Sequence, residues 1–139
     1  MENPPIWIEA FAEPIRDTPL AQVAFAGLIG LIMLDIVLGT CAAIKDGRVK
    51  SSIMREGVWH KTGELGIVGV GVMLDGMVDG GLDIGYSAPV CTSLIVLLAL
   101  NEAVSCMENA VALNPKLKEN RAWAILESVT HADGTAINA

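Results

Sequence analysis

Residues 20–44 read LAQVAFAGLIGLIMLDIVLGTCAAI, 25 positions in which Asp35 is the sole Asp, Glu, Lys, Arg or His. A helix rises about 1.5 Å per residue and a bilayer's hydrocarbon core is about 30 Å thick, so about 20 apolar residues suffice to cross it. This run is long enough, which limits the chain to helices or a closed barrel wherever lipid surrounds it. An acid at that depth is costly unless it faces protein or water, and it marks a functional site by default.

Two further windows share the deficit of charge: 62–82 and 89–113. Only 18% of the residues are charged and 53% are hydrophobic, against about 25% charged in an ordinary soluble domain. Three apolar windows leave no room for a soluble catalytic domain. The expected fold is therefore all-α: a single integral membrane domain over residues 1–139, with three transmembrane helices at 20–44, 62–82 and 89–113. Short amphipathic helices are expected at both ends. The first 17 residues carry Glu2, Glu9, Glu13 and Asp17 rather than a basic start, so a cleavable signal peptide is not expected.

The basic residues set the orientation. Lys45, Arg48, Lys50, Arg55 and Lys61 lie between the first two windows, and Lys116, Lys118 and Arg121 follow the third; Arg16 alone lies elsewhere. The 83–88 turn and the residues just before it hold acids only. Lys and Arg in short loops stay on the cytoplasmic side. The 45–61 loop and the C-terminus are therefore expected inside, with the 1–19 leader and the 83–88 turn outside (N-out, C-in). These cations fix topology, and the same cluster could hold anionic headgroups.

The leader spaces Trp7, Phe11 and Ile15 by four. It is either a short interfacial helix or an irregular segment. Span one places Asp35 and Gly39 on one face, a candidate helix contact lined by small residues. Span two contains Glu64, Gly66, Gly69 and Asp75; its rival reading is a re-entrant segment. In span three, Asn101, Glu102, Ser105, Glu108 and Asn109 cover one broad polar face, either a seam between helices or the wall of a water path. Asn114-Pro115 begins an amphipathic cytoplasmic helix over 114–130, followed by a disordered tail at 131–139. The three acids of the DGMVDGGLDIG stretch lack the spacing of a calcium loop. Cys41, Cys91 and Cys106 form no disulfide or metal pattern, and no nucleophile–base set suggests catalysis. No cofactor and no metal site is expected.

Three passages together resemble one known family: LDIVLGTCAAIKDGRVKSSIMREGVWHK, the later MLD, and LNEAVSCMEN followed by Pro115. The pattern is similar to the toxin-secretion/phage-lysis holins, small bacteriophage membrane proteins. The matching positions are Asp35, Gly39, Ser51, Ser52, Gly57, Lys61, Asp75, Asn101, Glu102, Glu108 and Asn109. The resemblance implies a protein of the host inner membrane that homo-oligomerises and opens lesions, releasing an endolysin or a toxin. Its implied partners are membrane lipid, further copies of itself, a cytoplasmic endolysin without stable contact, and an antiholin, with no nucleic acid. The competing readings are a subunit of a membrane complex and a fixed-pore ion channel.

Overall fold

The computed structural model describes residues 5–47, 51–83, 85, 89–121 and 123–125. Among them every regular element is helical: α1 (Ile6–Arg16), α2 (Pro19–Lys45), α3 (Ser51–Asp79), α4 (Val90–Leu113) and a 3-10 turn at Pro115–Glu119. Pro19 opens α2 at a position where a missing N–H costs nothing. Gly47 closes it with a positive φ of 64°, the left-handed conformation in which glycine is least penalised. The Asp46-Gly47 turn signal thus acts as a helix stop. At the far end of α3, Gly81 (φ 93°) donates to Val78 O at 2.9 Å and Leu82 donates to Met77 O at 3.0 Å. That pair of bonds is a Schellman closure, so the DGMVDGGLDIG stretch contains an ordered helix stop.

Two of these helices, Pro19–Lys45 and Val90–Leu113, are long and apolar enough to cross a membrane. The expected second span differs. Residues 62–82 are the later part of a 29-residue helix that already begins at Ser51, so the short helix that Ser51 or Ser52 could cap within the expected 45–61 loop is continuous with span two. Nothing between Ser51 and Lys61 breaks a helix except Gly57, whose cost of about 1 kcal/mol the rest of α3 outweighs. At the C-terminal end the expected helix starts as the Pro115–Glu119 turn, capped by Asn114, which accepts from the Lys116 N–H at 3.3 Å. Arg48, Lys50 and residues 126–139 lie outside the described residues.

α4 is the central element. It packs along α2 and against α3, while α2 and α3 touch only slightly. The α2 face toward α4 carries Ala21, Leu28, Ile32, Asp35, Gly39 and Ala42. The α4 face carries Cys91, Ile95, Leu98, Glu102, Ser105 and Asn109. Steps of three and four recur along both, the spacing that keeps one stripe turned toward a neighbour. The stripe is apolar at the Cys91 end, where Leu28, Ile95 and Cys91 are fully enclosed with Val68 of α3. It turns polar toward the other end.

Both ends of α4 are closed by side chains of its neighbours. Asp75 of α3 accepts from the Val90 and Cys91 N–H groups at 3.0 and 2.8 Å. Lys45 of α2 donates to the Ala112 and Leu113 carbonyls at 2.8 and 3.0 Å. An anion at the N-terminus and a cation at the C-terminus satisfy otherwise unpaired backbone groups and suit the helix dipole. Lys45, expected as a headgroup-facing cation, is in this structure a helix cap.

Close approach of α3 to its neighbours depends on Gly71 and Gly76 rather than on Gly66 and Gly69. A Cβ on Gly71 would lie 2.8 Å from Cys91 Cα, and one on Gly76 would meet Phe11 and the Ala10 carbonyl of α1. Gly66 and Gly69, the expected packing positions, face open space. The amphipathic α1 therefore lies across α3, with Ala10 and Pro14 buried. At its end Gln22 donates to the Arg16 carbonyl. The Arg16 hydrogen bond holds the exposed Asp17 carboxyl below its usual range, though such exposed pairs contribute little stability.

The outer surface is apolar. Val23, Met33 and Val37 of α2, Val70 and Met73 of α3, and Leu97 and Leu100 of α4 are all exposed. Hydroxyls on these surfaces bond within their own helix: Thr40 to Ile36 O, Thr62 to Val58 O and Ser93 to Pro89 O, at 2.7, 2.8 and 2.7 Å.

The two glycine environments give a paired test. Gly71→Ala should destabilise the detergent-solubilised protein by about 1–3 kcal/mol through overpacking, whereas Gly66→Ala should leave it unchanged or slightly more stable. Circular-dichroism melts of the two variants beside the parent would show this. Equal effects would contradict the assigned packing of α3.

Candidate functional site

The polar end of the α2–α4 stripe meets α3 in a cluster of charges. Asp35 sits ten residues before the end of α2, Lys61 ten residues after the start of α3, and Glu102 eleven before the end of α4. At about 1.5 Å per residue these are common heights, about 15 Å along each helix. Sequence spacing thus delivers one acid, one base and a second acid to the same level on three helices.

Lys61 is the hub. Its Nζ lies 3.1 Å from Asp35 Oδ2 and 3.7 Å from Glu64 Oε2, and it donates a hydrogen bond to Glu102 Oε1. The ammonium end is well enclosed, with the Lys61, Asp35 and Glu64 side chains only 15%, 11% and 14% exposed and Glu102 1%. Asp35 Oδ1 accepts from Ser105 Oγ at 2.6 Å and from Asn109 Nδ2 at 2.8 Å. Asn109 reaches across because residue 39 is glycine: a Cβ there would come within 3.2 Å of its amide nitrogen. Cys106 packs in the same contact, its thiol donating to Leu31 O at 3.4 Å. On the exposed side of α3, His60 Nδ1 stands 3.5 Å from Glu64 Oε1.

Of the expected seam residues, Asp35, Gly39, Glu64, Glu102, Ser105 and Asn109 come together here. Asn101 is exposed on the rim of an open cleft of ≈ 360 Å³ that it shares with Gly57, His60, Lys61, Glu64, Glu102 and Ser105. Glu108 is exposed and faces away from the contact. Of the broad polar face of span three, 102, 105 and 109 turn into the contact, while 101 and 108 are exposed. Asp75 is remote from the cluster, at the opposite end of α4. The main departure concerns Lys61, expected among the headgroup-facing cations and found instead between two buried acids. Of the remaining cations, Arg55, Lys116, Lys118 and Arg121 are exposed.

The arrangement holds no nucleophile beside a base. Among the described residues no group of three His, Cys, Asp or Glu could hold a metal ion. What it can do is tie three helices together through charge and release them when that charge balance changes. Breaking one partner of a buried ion pair leaves an uncompensated charge, so loss of any one partner is costly to the rest.

A model described as the bacteriophage holin family matches residues 20–120 of the 139. That span begins with α2 and ends just past the Pro115–Glu119 turn. No curated protein and no solved structure matches the chain.

Lys61→Met should therefore be the most damaging single change in the cluster. It strands Asp35 and Glu102 without a counter-ion, at a cost of roughly 3–5 kcal/mol. Glu108→Gln, on the exposed side of the same helix, should fall within about 0.5 kcal/mol of the parent. Unfolding of both variants in detergent would test the ranking, and a tolerated Lys61→Met would remove the hub from the account.

Proposed function

The chain belongs to the bacteriophage holin family, and from that membership we propose that it oligomerises in the host's cytoplasmic membrane and opens lesions that release an endolysin. As a member of a lysis family it is a membrane protein and not an enzyme. The observation that carries the finer reading is an inverted polarity: ions sit inside the helix contact, while Val23, Met33, Val37, Val70, Met73, Leu97 and Leu100 stand outside. Water would penalise such an exterior; lipid suits it.

The same inversion supports α3 as a third crossing. Its charges reduce its mean hydropathy, yet Lys61, Glu64 and Asp75 turn toward α2 and α4, and Leu65, Ile67, Val70, Met73 and Met77 turn outward. Three crossings place the termini on opposite sides, and the cations of 45–55 and 116–121 favour N-out, C-in. In that frame the Asp35–Lys61–Glu102 level lies about 15 Å along each helix from its cytoplasmic end.

A holin must be harmless when dispersed and then convert to a large assembly. The closed, intramolecular pairing of Lys61 suits the first state. Gly27, Gly30, Gly66 and Gly69 have open space above them, and small residues of this kind let helices of further copies approach closely. Charges held within the spans also respond to the membrane potential, at about 2.3 kcal/mol per charge moved through 100 mV, which offers a trigger for the conversion.

Expression of the chain with a cytoplasmic muralytic enzyme tests this reading. The expected result is abrupt lysis after a fixed delay, with Asp35→Asn and Glu102→Gln altering that delay. Graded ion leakage without enzyme release would favour a fixed-pore channel, and no phenotype would favour a subunit of another complex.

A further inference from the structure

The hydrogen-bond donors of the ionic cluster are fewer than its acceptors. Lys61 turns two of its three N–H groups to Glu102 Oε1 and Asp35 Oδ2. Ser105 and Asn109 both donate to Asp35 Oδ1. That leaves Glu64 Oε2 and Glu102 Oε2, both buried, with no donor. The Lys61 ammonium, 3.7 Å from Glu64 Oε2, is too far to serve as one. His60 approaches the other oxygen of Glu64, from the exposed side.

The charges show the same deficit. With all groups ionised, Asp35, Glu64 and Glu102 oppose the single cation Lys61, and the enclosed cluster carries two net negative charges. The Glu64 and Glu102 carboxyls both flank the Lys61 ammonium and line one cleft. Two like charges so near each other and out of water cannot both be held cheaply. One proton corrects both deficits at once: it turns an orphaned acceptor into a donor for the other and halves the excess charge.

We propose that Glu64 and Glu102 bind one proton between them, forming a carboxyl–carboxylate pair that fastens α3 to α4. In this pair the O–H of one carboxyl donates to the Oε2 of the other. The proton comes from water through the cleft lined by Gly57, His60 and Asn101, and returns to it when the pair ionises. The groups facing the pair are Asp35 from α2, His60 and Lys61 from α3, and Asn101, Ser105 and Cys106 from α4. None of them supplies the missing donor. Loss of the proton places a second uncompensated charge in the α3–α4 contact and loosens it, so the bound proton acts as a fastener. This follows from the helix contact alone and does not depend on the lysis reading.

Infrared spectroscopy of the full chain in lipid vesicles tests it. At neutral pH the protein should show a protonated-carboxyl C=O band that is lost on alkaline titration. Glu64→Gln and Glu102→Gln should each abolish that band completely while leaving the thermal melt near that of the parent, because a glutamine N–H replaces the shared proton as donor. Absence of the band from the parent at neutral pH would overturn the proposal. So would a band that survives both substitutions, or a melt that falls sharply in both. Proteolysis of α3 in vesicles should also increase at alkaline pH in the parent and not in Glu64→Gln; the same increase in both would contradict the fastener.

Discussion

The contact made by Lys61 with Asp35 and Glu102 determines how the three long helices can be arranged. α2 and α3 share little apolar surface, and each relates to the other mainly through α4 and through this ammonium. A single base between acids on two helices fixes the relative height of all three, because a shift of one residue along any helix would move a carboxyl about 1.5 Å and rotate it out of reach. Dispersion and burial define the apolar half of the bundle around Leu28, Ile95 and Val68. The ionic half sets its register.

α4 accordingly behaves as a strut held at three levels. Asp75 closes its first turn, Lys61 grips its middle through Glu102, and Lys45 closes its last turn. These three partners come from α2 and α3, which would otherwise be free to splay. Small residues allow the approach: Gly71 admits the start of α4, and Gly39 admits Asn109 toward Asp35. Gly27, Gly30, Gly66 and Gly69, by contrast, have open space above them.

Much of this was legible in the sequence. The uninterrupted apolar run marked α2, the isolated Asp35 marked the level of the cluster, and polar residues at 101, 102, 105, 108 and 109 marked a broad face of α4, part of which meets it. The resemblance to phage-lysis holins agrees with the family match over residues 20–120. Lys61 was misassigned for a physical reason: positive residues near an apolar window read as cytoplasmic anchors, and that rule does not report helix phase. A signal was present, because Lys61, Glu64, Val68, Gly71 and Asp75 follow steps of three and four. That places Lys61 two heptads from the acid already assigned to a contact. The choice between Gly66 and Gly71, or between Glu108 and Asn109, depends on which side of a helix its neighbour occupies. Periodicity alone leaves that side open when both faces of a helix are apolar.

The most direct measurement is a double-mutant cycle between Asp35→Asn and Lys61→Met, read from reversible unfolding in detergent or bicelles. If the ammonium joins α2 to α3 as described, the effects are strongly non-additive, with a coupling of about 1–3 kcal/mol, since residues in one ionic network couple in that range. Additivity within about 0.3–0.5 kcal/mol, the behaviour of independent sites, would show that Lys61 does not engage Asp35 and would contradict the register assigned to the three helices.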